Sequence, residues 1–275
     1  MTTARRFLIR RDVIVASGVD AATYLHSQLT NDVASLTVGD SRYSFILQPT
    51  GKIVCLARVC RTANDVFEID TDEGAGVATI ERLQRFRIRV KCDLVAELRP
   101  MWALRGLDAA TTARALAMPG ARRAWGTHDG AIDVPARTDD VNGDDPAVAQ
   151  VAPIIGDAPD YEALRVRRGW PRTGSELTAD TMVAETDLAP VAVSFTKGCY
   201  PGQELVERMD SRGAVAPRKL VVLSAHAVSA GDTYVVDGEA IGHVTSAAGG
   251  CAIVSVARAH LSRVTPLRPP GAVEE

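Results

Sequence analysis

The sequence predicts an α+β fold that ends in a small all-β part, and three observations predict it. Helical and strand-like periodicities are mixed up to about residue 213. Beyond that point only short apolar runs separated by turn residues remain. The chain has 275 residues, 46% of them hydrophobic and 24% charged. That is enough to bury a sizeable core, and the length suggests about two domains. A net charge of −3 gives no global electrostatic case for nucleic acid or membrane as partners. No apolar run approaches the roughly 20 residues of a membrane span. The N-terminus carries Arg5 and Arg6 but no signal-like apolar stretch after them, so a cytoplasmic location is expected.

Taken in order, Asp20 is placed to cap a helix, with Val19 and Tyr24 spaced as a hydrophobic staple. Leu25 and Leu29 share that helix's apolar face, and it ends near Thr30, Asn31 and Asp32. Tyr43, Phe45 and Leu47 alternate along a strand, residues 48–51 (Gln-Pro-Thr-Gly) turn, and Ile53, Cys55, Ala57 and Val59 alternate back. This predicts a hairpin. Residues 66–70 read as a short strand, and Val77, Ile80, Leu83 and Phe86 as a helix face. Over 87–94 the period changes to two, with Ile88, Val90, Cys92 and Leu94 on one side and Arg87, Arg89 and Lys91 on the other. Such a basic stripe could attract an anionic tail or RNA phosphates, and a solvated strand face has the same pattern. Residues 136–149 are acidic and aperiodic and predict a solvated loop, lacking the ligand spacing of a calcium loop. Pro159 opens a helix through Leu164 and Val166 that Gly169 and Pro171 close, and 175–190 read as irregular. Residues 220–223, 233–236, 240–244 and 252–256 are strand-like, with Asp237-Gly238 as a hairpin turn, and together predict a barrel. The expected division is residues 1–213, two interleaved subdomains breaking near 90–150, and 214–275.

Five cysteines, at 55, 60, 92, 199 and 251, show neither a CxxC pair nor regular spacing, and five histidines scatter without an HExxH pair. Neither a disulfide framework nor a protein-built metal centre is expected. Cys55, Cys92 and Cys251 lie in alternating apolar stretches, as small core residues do. Cys199 differs. It stands in Lys197-Gly198-Cys199-Tyr200-Pro201-Gly202-Gln203-Glu204, between a strand-like run at 191–195 and a helical pattern from Gln203 to Met209. Pro201 suits a first helical position, and Glu204 and Arg208 are spaced to pair. A helix N-terminus and Lys197 both favour thiolate over thiol, which makes Cys199 and Lys197 the candidate catalytic pair. A tight turn with an exposed cysteine is the plainer alternative.

This run, followed by Arg208 and Gly213, resembles the signature of the YgfZ family of folate-binding proteins, relatives of the T-protein (aminomethyltransferase) of glycine cleavage. Eight consecutive residues with a lysine, a cysteine and two glycines are far more specific than a lone GxGxxG. Residues 25–32 (Leu-His-Ser-Gln-Leu-Thr-Asn-Asp), 49–53 (Pro-Thr-Gly-Lys-Ile), 169–171 (Gly-Trp-Pro) and 241–246 (Ile-Gly-His-Val-Thr-Ser) are similar to other family motifs, so the resemblance covers nearly the whole chain. It implies a T-protein-like fold with a C-terminal β-barrel and a central folate channel. It also implies tetrahydrofolate or a derivative as cofactor, with Gln28, Asn31, Tyr200, Gln203 and Arg208 as polar contacts. The implied role is assembly, repair or maintenance of iron–sulfur enzymes, including tRNA methylthiotransferases, through transient contact with these enzymes or with cluster assembly proteins. A folate-dependent one-carbon transferase or demethylase and a non-catalytic ring-binding module are the alternatives. Two departures stand out. Cys55 or Leu56 occupies the place of the T-protein acid, which argues against glycine cleavage. Arg167 replaces the glutamate that grips the pterin, and a guanidinium cannot accept ring N–H groups.

Overall fold

The computed structural model describes residues 3–126, 130–137, 145–211 and 216–267. The chain opens with β1 (Arg5–Ser17), α1 (Ala21–Gln28), β2 (Ser41–Leu47), β3 (Ile53–Ala63) and β4 (Val66–Asp72). There follow α2 (Gly76–Arg85), β5 (Asp93–Arg105), α3 (Ala109–Leu116), β6 (Arg122–Arg123) and β7 (Ala131–Pro135). Next come α4 (Pro146–Val151), β8 (Ile154–Ile155), α5 (Ala158–Arg168), α6 (Ala189–Ala192) and α7 (Gln203–Ser211). β9 (Arg218–Ser224), β10 (Thr233–Val236), β11 (Glu239–Ala248) and β12 (Cys251–Ala257) complete it. One sheet runs β2-β3-β4-β1-β5-β7-β6, with β8 beside β1, and a second runs β10-β11-β12-β9. The resulting architecture is α+β with a separate C-terminal sheet.

β1 is the spine of the large sheet, paired over its length with β5 and over Arg11 to Ser17 with β4. It has no clean alternation because both faces are covered over part of its length: Phe7, Val13, Ile14 and Ala16 are all buried, whereas Leu8 is exposed. Two of its four arginines are held inside by partners, while Arg5 and Arg10 pair with Asp160 and Glu73 at the surface. Arg11 meets Asp70 and Asp72, and Arg6 donates to the carbonyls of Ala152 and Pro153. Beside it, Arg58 and Asp70 form a fully buried pair at 2.8 Å, and Arg58 also reaches Asp133 at 3.0 Å. α1 and α2 cover one core, where Leu25, Leu29 and Leu83 meet Val59, Phe67 and Ile69. A second core joins Tyr43, Phe45 and Leu47 to Tyr200 and Val206. In the C-terminal sheet Asp237 and Gly238 both have positive φ, as a tight hairpin turn of this kind requires.

The expected hairpin of β2 and β3 forms, with a register shift at Ile46/Leu47, and α5 and β9–β12 fall where their periodicities place them. Several local expectations are corrected. Asp20 precedes α1 without capping it; its carboxylate accepts from the Lys91 N–H instead, and Val19 is 68% exposed, so the staple is not made. Val77, on the expected apolar face of α2, is also exposed. Residues 87–92 are not a strand. Turn bonds run on from α2, and Arg89 has φ +56, so the basic residues do not share one strand face. Residues 191–195 are not a strand either. Pro190 sits in the first turn of α6, where its missing N–H costs nothing, and the chain then extends, with Ser194 N–H on the Thr30 carbonyl. The expected loop at 136–149 contains the start of α4, capped by the Asp145 carboxylate at the N–H groups of Ala147 and Val148. Residues 138–144 of that stretch, His128 and the expected division at 213/214 lie outside the described residues.

Candidate functional site

The segment carrying Cys199 is built by two interlocked turns. Tyr200, Pro201, Gly202 and Gln203 make a β-turn closed by Gln203 N–H to the Tyr200 carbonyl at 3.2 Å. Gly202 has φ +86, the third-position conformation of a type II turn, with Pro201 setting the second. A Cβ on Gly202 would lie 2.7 Å from the Gln48 carbonyl and 2.9 Å from Gly51 Cα. A Cβ on Gly51, at φ +81, would in turn strike the Leu205 side chain at 2.7 Å. The β2–β3 turn and the Cys199 turn therefore need glycine at both contacts. Pro201 is thus a turn residue, not the first residue of α7, which starts at Gln203.

Cys199 is the exposed cysteine, and Cys55, Cys60, Cys92 and Cys251 are buried. Lys197 is near enough to Cys199 to interact with it electrostatically, but makes its hydrogen bonds elsewhere. Its Nζ donates to the carbonyls of His26 and Leu29 at the C-terminal end of α1 and lies 5.1 Å from the Tyr200 ring. Burial brings the Lys197 pKa down to about 8, only partly offset by Asp32 and Cys199. Of the two features expected to favour a thiolate, the α7 N-terminus is four residues on, and the ammonium, though within electrostatic reach, spends its hydrogen bonds on α1. Lys197 positions the loop.

The other candidates also serve the scaffold. Gln28 donates to Ser27 Oγ and accepts from Arg82. Asn31 donates to the carbonyls of Tyr43 and Val191 and accepts from the Asp32 N–H, tying α1, β2 and the segment before Cys199 together. Tyr200 is buried in the core, its hydroxyl without a partner, and desolvation pushes its pKa up to about 12. Gln203 accepts from the Tyr200 N–H and donates to Glu207. Arg208 and Glu204 pair at 2.6 Å on the surface, as their spacing requires. None of these five residues lines either of the two large cavities below.

The first cavity, of about 520 Å³, opens beside β1. Tyr43, Trp125, Tyr161 and Trp170 wall it, and five guanidinium groups line it, each paired with a carboxylate: Arg10 with Glu73, Arg11 with Asp70 and Asp72, Arg105 with Asp133, Arg165 with Glu176, and Arg172 with Glu162. Arg105 lies over the Trp125 ring at 4.2 Å. Asp72 lines the cavity, held by Arg11 at 2.5 Å and by the Thr173 N–H at 2.8 Å. Beside it the buried Thr173 hydroxyl has no partner. Trp125 has φ +53, which is costly for a side chain of this size, and its N–H donates to the Tyr43 hydroxyl. The second cavity, of about 560 Å³, lies between Trp125 and Trp170 and the C-terminal sheet and is mainly apolar. The two share those indoles as a wall.

Sequence reasoning did not find this cavity group. Its walls come from separate segments, and only Gly169-Trp-Pro was singled out. Cys55, at the place of the T-protein acid, is fully buried against Thr79; desolvation pushes its thiol up to about 11, so it cannot act as a charged group there. Arg167 is exposed on α5 and lines neither cavity.

No family model matches the chain. Among curated proteins it is 28% identical over 223 residues to the tRNA-modifying protein YgfZ of Klebsiella pneumoniae, covering 72% of this chain and 64% of that protein. It is 28% identical over 244 residues to the iron–sulfur cluster assembly factor IBA57 homologue of Phaeosphaeria nodorum, covering 82% and 56%. A second such homologue, from Aspergillus fumigatus, is 25% identical over 84% of this chain and 60% of that protein. The chain thus spans roughly three fifths of the length of these relatives. Among solved structures, the glycine cleavage aminomethyltransferase T of Bartonella henselae superposes with a TM-score of 0.77 at 22% identity, over 94% of this chain and 79% of that one. The fold is therefore that of the aminomethyltransferase T-protein, and over most of its length the chain is similar to proteins named YgfZ and IBA57.

Proposed function

We propose that this chain is an accessory protein that supports the assembly or maintenance of iron–sulfur enzymes, with Cys199 as its working thiol. One observation carries the reading: of five cysteines, the one in the signature is exposed on a turn that two glycines and Lys197 hold in place, and the others are buried. A thiol presented on a rigid support can meet a partner without an ordering cost. The names of the relatives, an iron–sulfur cluster assembly factor and a tRNA-modifying protein, support the same class of role. Where a client enzyme modifies tRNA, the effect on tRNA is indirect.

The polar cavity suits a reduced folate. Trp125 and Trp170 offer faces for a flat ring, Asp72 supplies the acceptor that Arg167 cannot, and the unpartnered Thr173 hydroxyl offers one more polar contact. The exposed guanidinium groups on its wall, those of Arg10 and Arg172, suit the carboxylates of a glutamyl tail. When bound, such a folate would supply a carrier for one-carbon units. Cys199 lines neither cavity, which favours an accessory protein with separate thiol and ring sites over a transferase that uses the thiol on the folate. The test is to assay several iron–sulfur enzymes in a strain lacking the gene. The reading predicts that they lose activity together while cluster-free enzymes of the same cells keep theirs; unchanged activities would refute it.

A further inference from the structure

The loop joining α2 to β5 carries cations that the fold does not use. Arg87 is engaged, donating to the Cys92 carbonyl at 2.7 Å and lying 3.4 Å from Asp93. Arg85, Arg89 and Lys91 make no side-chain ion pair or hydrogen bond among the described residues. At the loop's tip Ile88 is 74% exposed, and Val19 is 68% exposed beside it, because Asp20 and Lys91 bond to each other through both backbones and the Asp20 carboxylate. Arg89 stands at φ +56, an uncommon conformation for a residue with a side chain.

The base of the loop is firm. Arg82 stacks on Phe86 at 4.2 Å, Tyr24 donates to the Leu83 carbonyl, and Cys92 is buried. A loop on an anchored base, with an aliphatic tip and cations that no carboxylate holds, presents both to a partner. Its chemistry selects among partners. It carries no exposed aromatic ring for stacking bases, and the turn at Arg89 breaks the even row that a phosphate backbone would meet. An aliphatic tip among cations instead matches an apolar hollow rimmed by carboxylates on a protein.

We propose that this loop, with Val19, is a docking surface for an acidic protein partner, Ile88 entering an apolar hollow while Arg85, Arg89 and Lys91 meet its acidic rim. The knob adjoins the start of α1, and the Cys199 loop is tied to the end of that helix, roughly 12 Å away for eight residues. The surface is independent of any chemistry at Cys199.

The test is fluorescence anisotropy at low salt with the purified full chain and two labelled probes, a peptide of alternating glutamate and leucine and a polyuridine RNA of equal length. We expect saturable peptide binding, at least tenfold weaker in the Arg85→Glu, Arg89→Glu, Lys91→Glu triple variant and at least threefold weaker in Ile88→Ser. Cys199→Ser, and Arg167→Glu on α5, should bind as the parent does. Circular dichroism would establish that each variant is folded. No saturable binding, an equal loss in Arg167→Glu, or tighter binding of the RNA than of the peptide would overturn the proposal.

Discussion

At the scale of the residue, exposure separates Cys199 from the other cysteines. Burial holds Cys55 neutral, its pKa pushed up to about 11, and raises those of Cys60 and Cys92. Reaction with iodoacetamide under native conditions, followed by peptide mass spectrometry, should label Cys199 at least about tenfold faster than any other cysteine. Equal labelling would mean that its turn does not present it. Lys197 makes a second, signed prediction. Its native pKa is about 8 against an ordinary 10.5, so from about pH 8 to 10.5 the unfolded chain holds a proton that the fold has released. Stability from this group therefore rises with pH across that window. Urea unfolding at pH 7.5 and 9.5 should show the parent gaining on Lys197→Met at the higher pH; a parent that loses ground would show that the ammonium is needed charged.

At the scale of the element, the interlocked turns are the most vulnerable feature. Gly202→Ala puts a Cβ 2.7 Å from the Gln48 carbonyl at a positive φ, and should cost about 2 kcal/mol or more in urea unfolding. A cost below about 0.5 kcal/mol would mean that the two turns are not in contact. What the sequence disclosed divides along physical lines. The β2–β3 hairpin and the C-terminal strands were legible from short apolar, β-branched runs bounded by turn residues, and α5 because Gly169 stops it at φ +70. β1 was not, since Arg6 and Arg11 stand inside it against carbonyls and carboxylates and interrupt its apolar run. The 87–94 alternation misled because Arg89 turns the backbone, and 191–195 because tertiary contacts outweigh β-branched preference. In the site, Cys199 could be read from a contiguous motif. The cavity could not, because residues as distant as Tyr43, Asp72, Trp125 and Thr173 meet only in the fold.

At the scale of the whole molecule, the proposed function puts two sites on one frame: a cavity walled by Trp125, Trp170 and Asp72, proposed to take a ring, and a thiol displayed on the turn at Cys199. Tetrahydrofolate should quench the indole fluorescence saturably, and Trp170→Ala should weaken binding at least about tenfold, as loss of a stacked ring does. No saturable signal up to millimolar ligand would assign the cavity to another ring compound. The central claim is that the exposed thiol, and not merely the shape of its turn, is what iron–sulfur enzymes require. Cys199→Ser keeps that shape and removes the soft sulfur. The direct measurement is therefore the activity of iron–sulfur enzymes in a strain lacking the gene, supplied with either the parent chain or Cys199→Ser at equal, folded levels. The account predicts rescue by the parent and none by the variant, whereas full rescue by Cys199→Ser would contradict it.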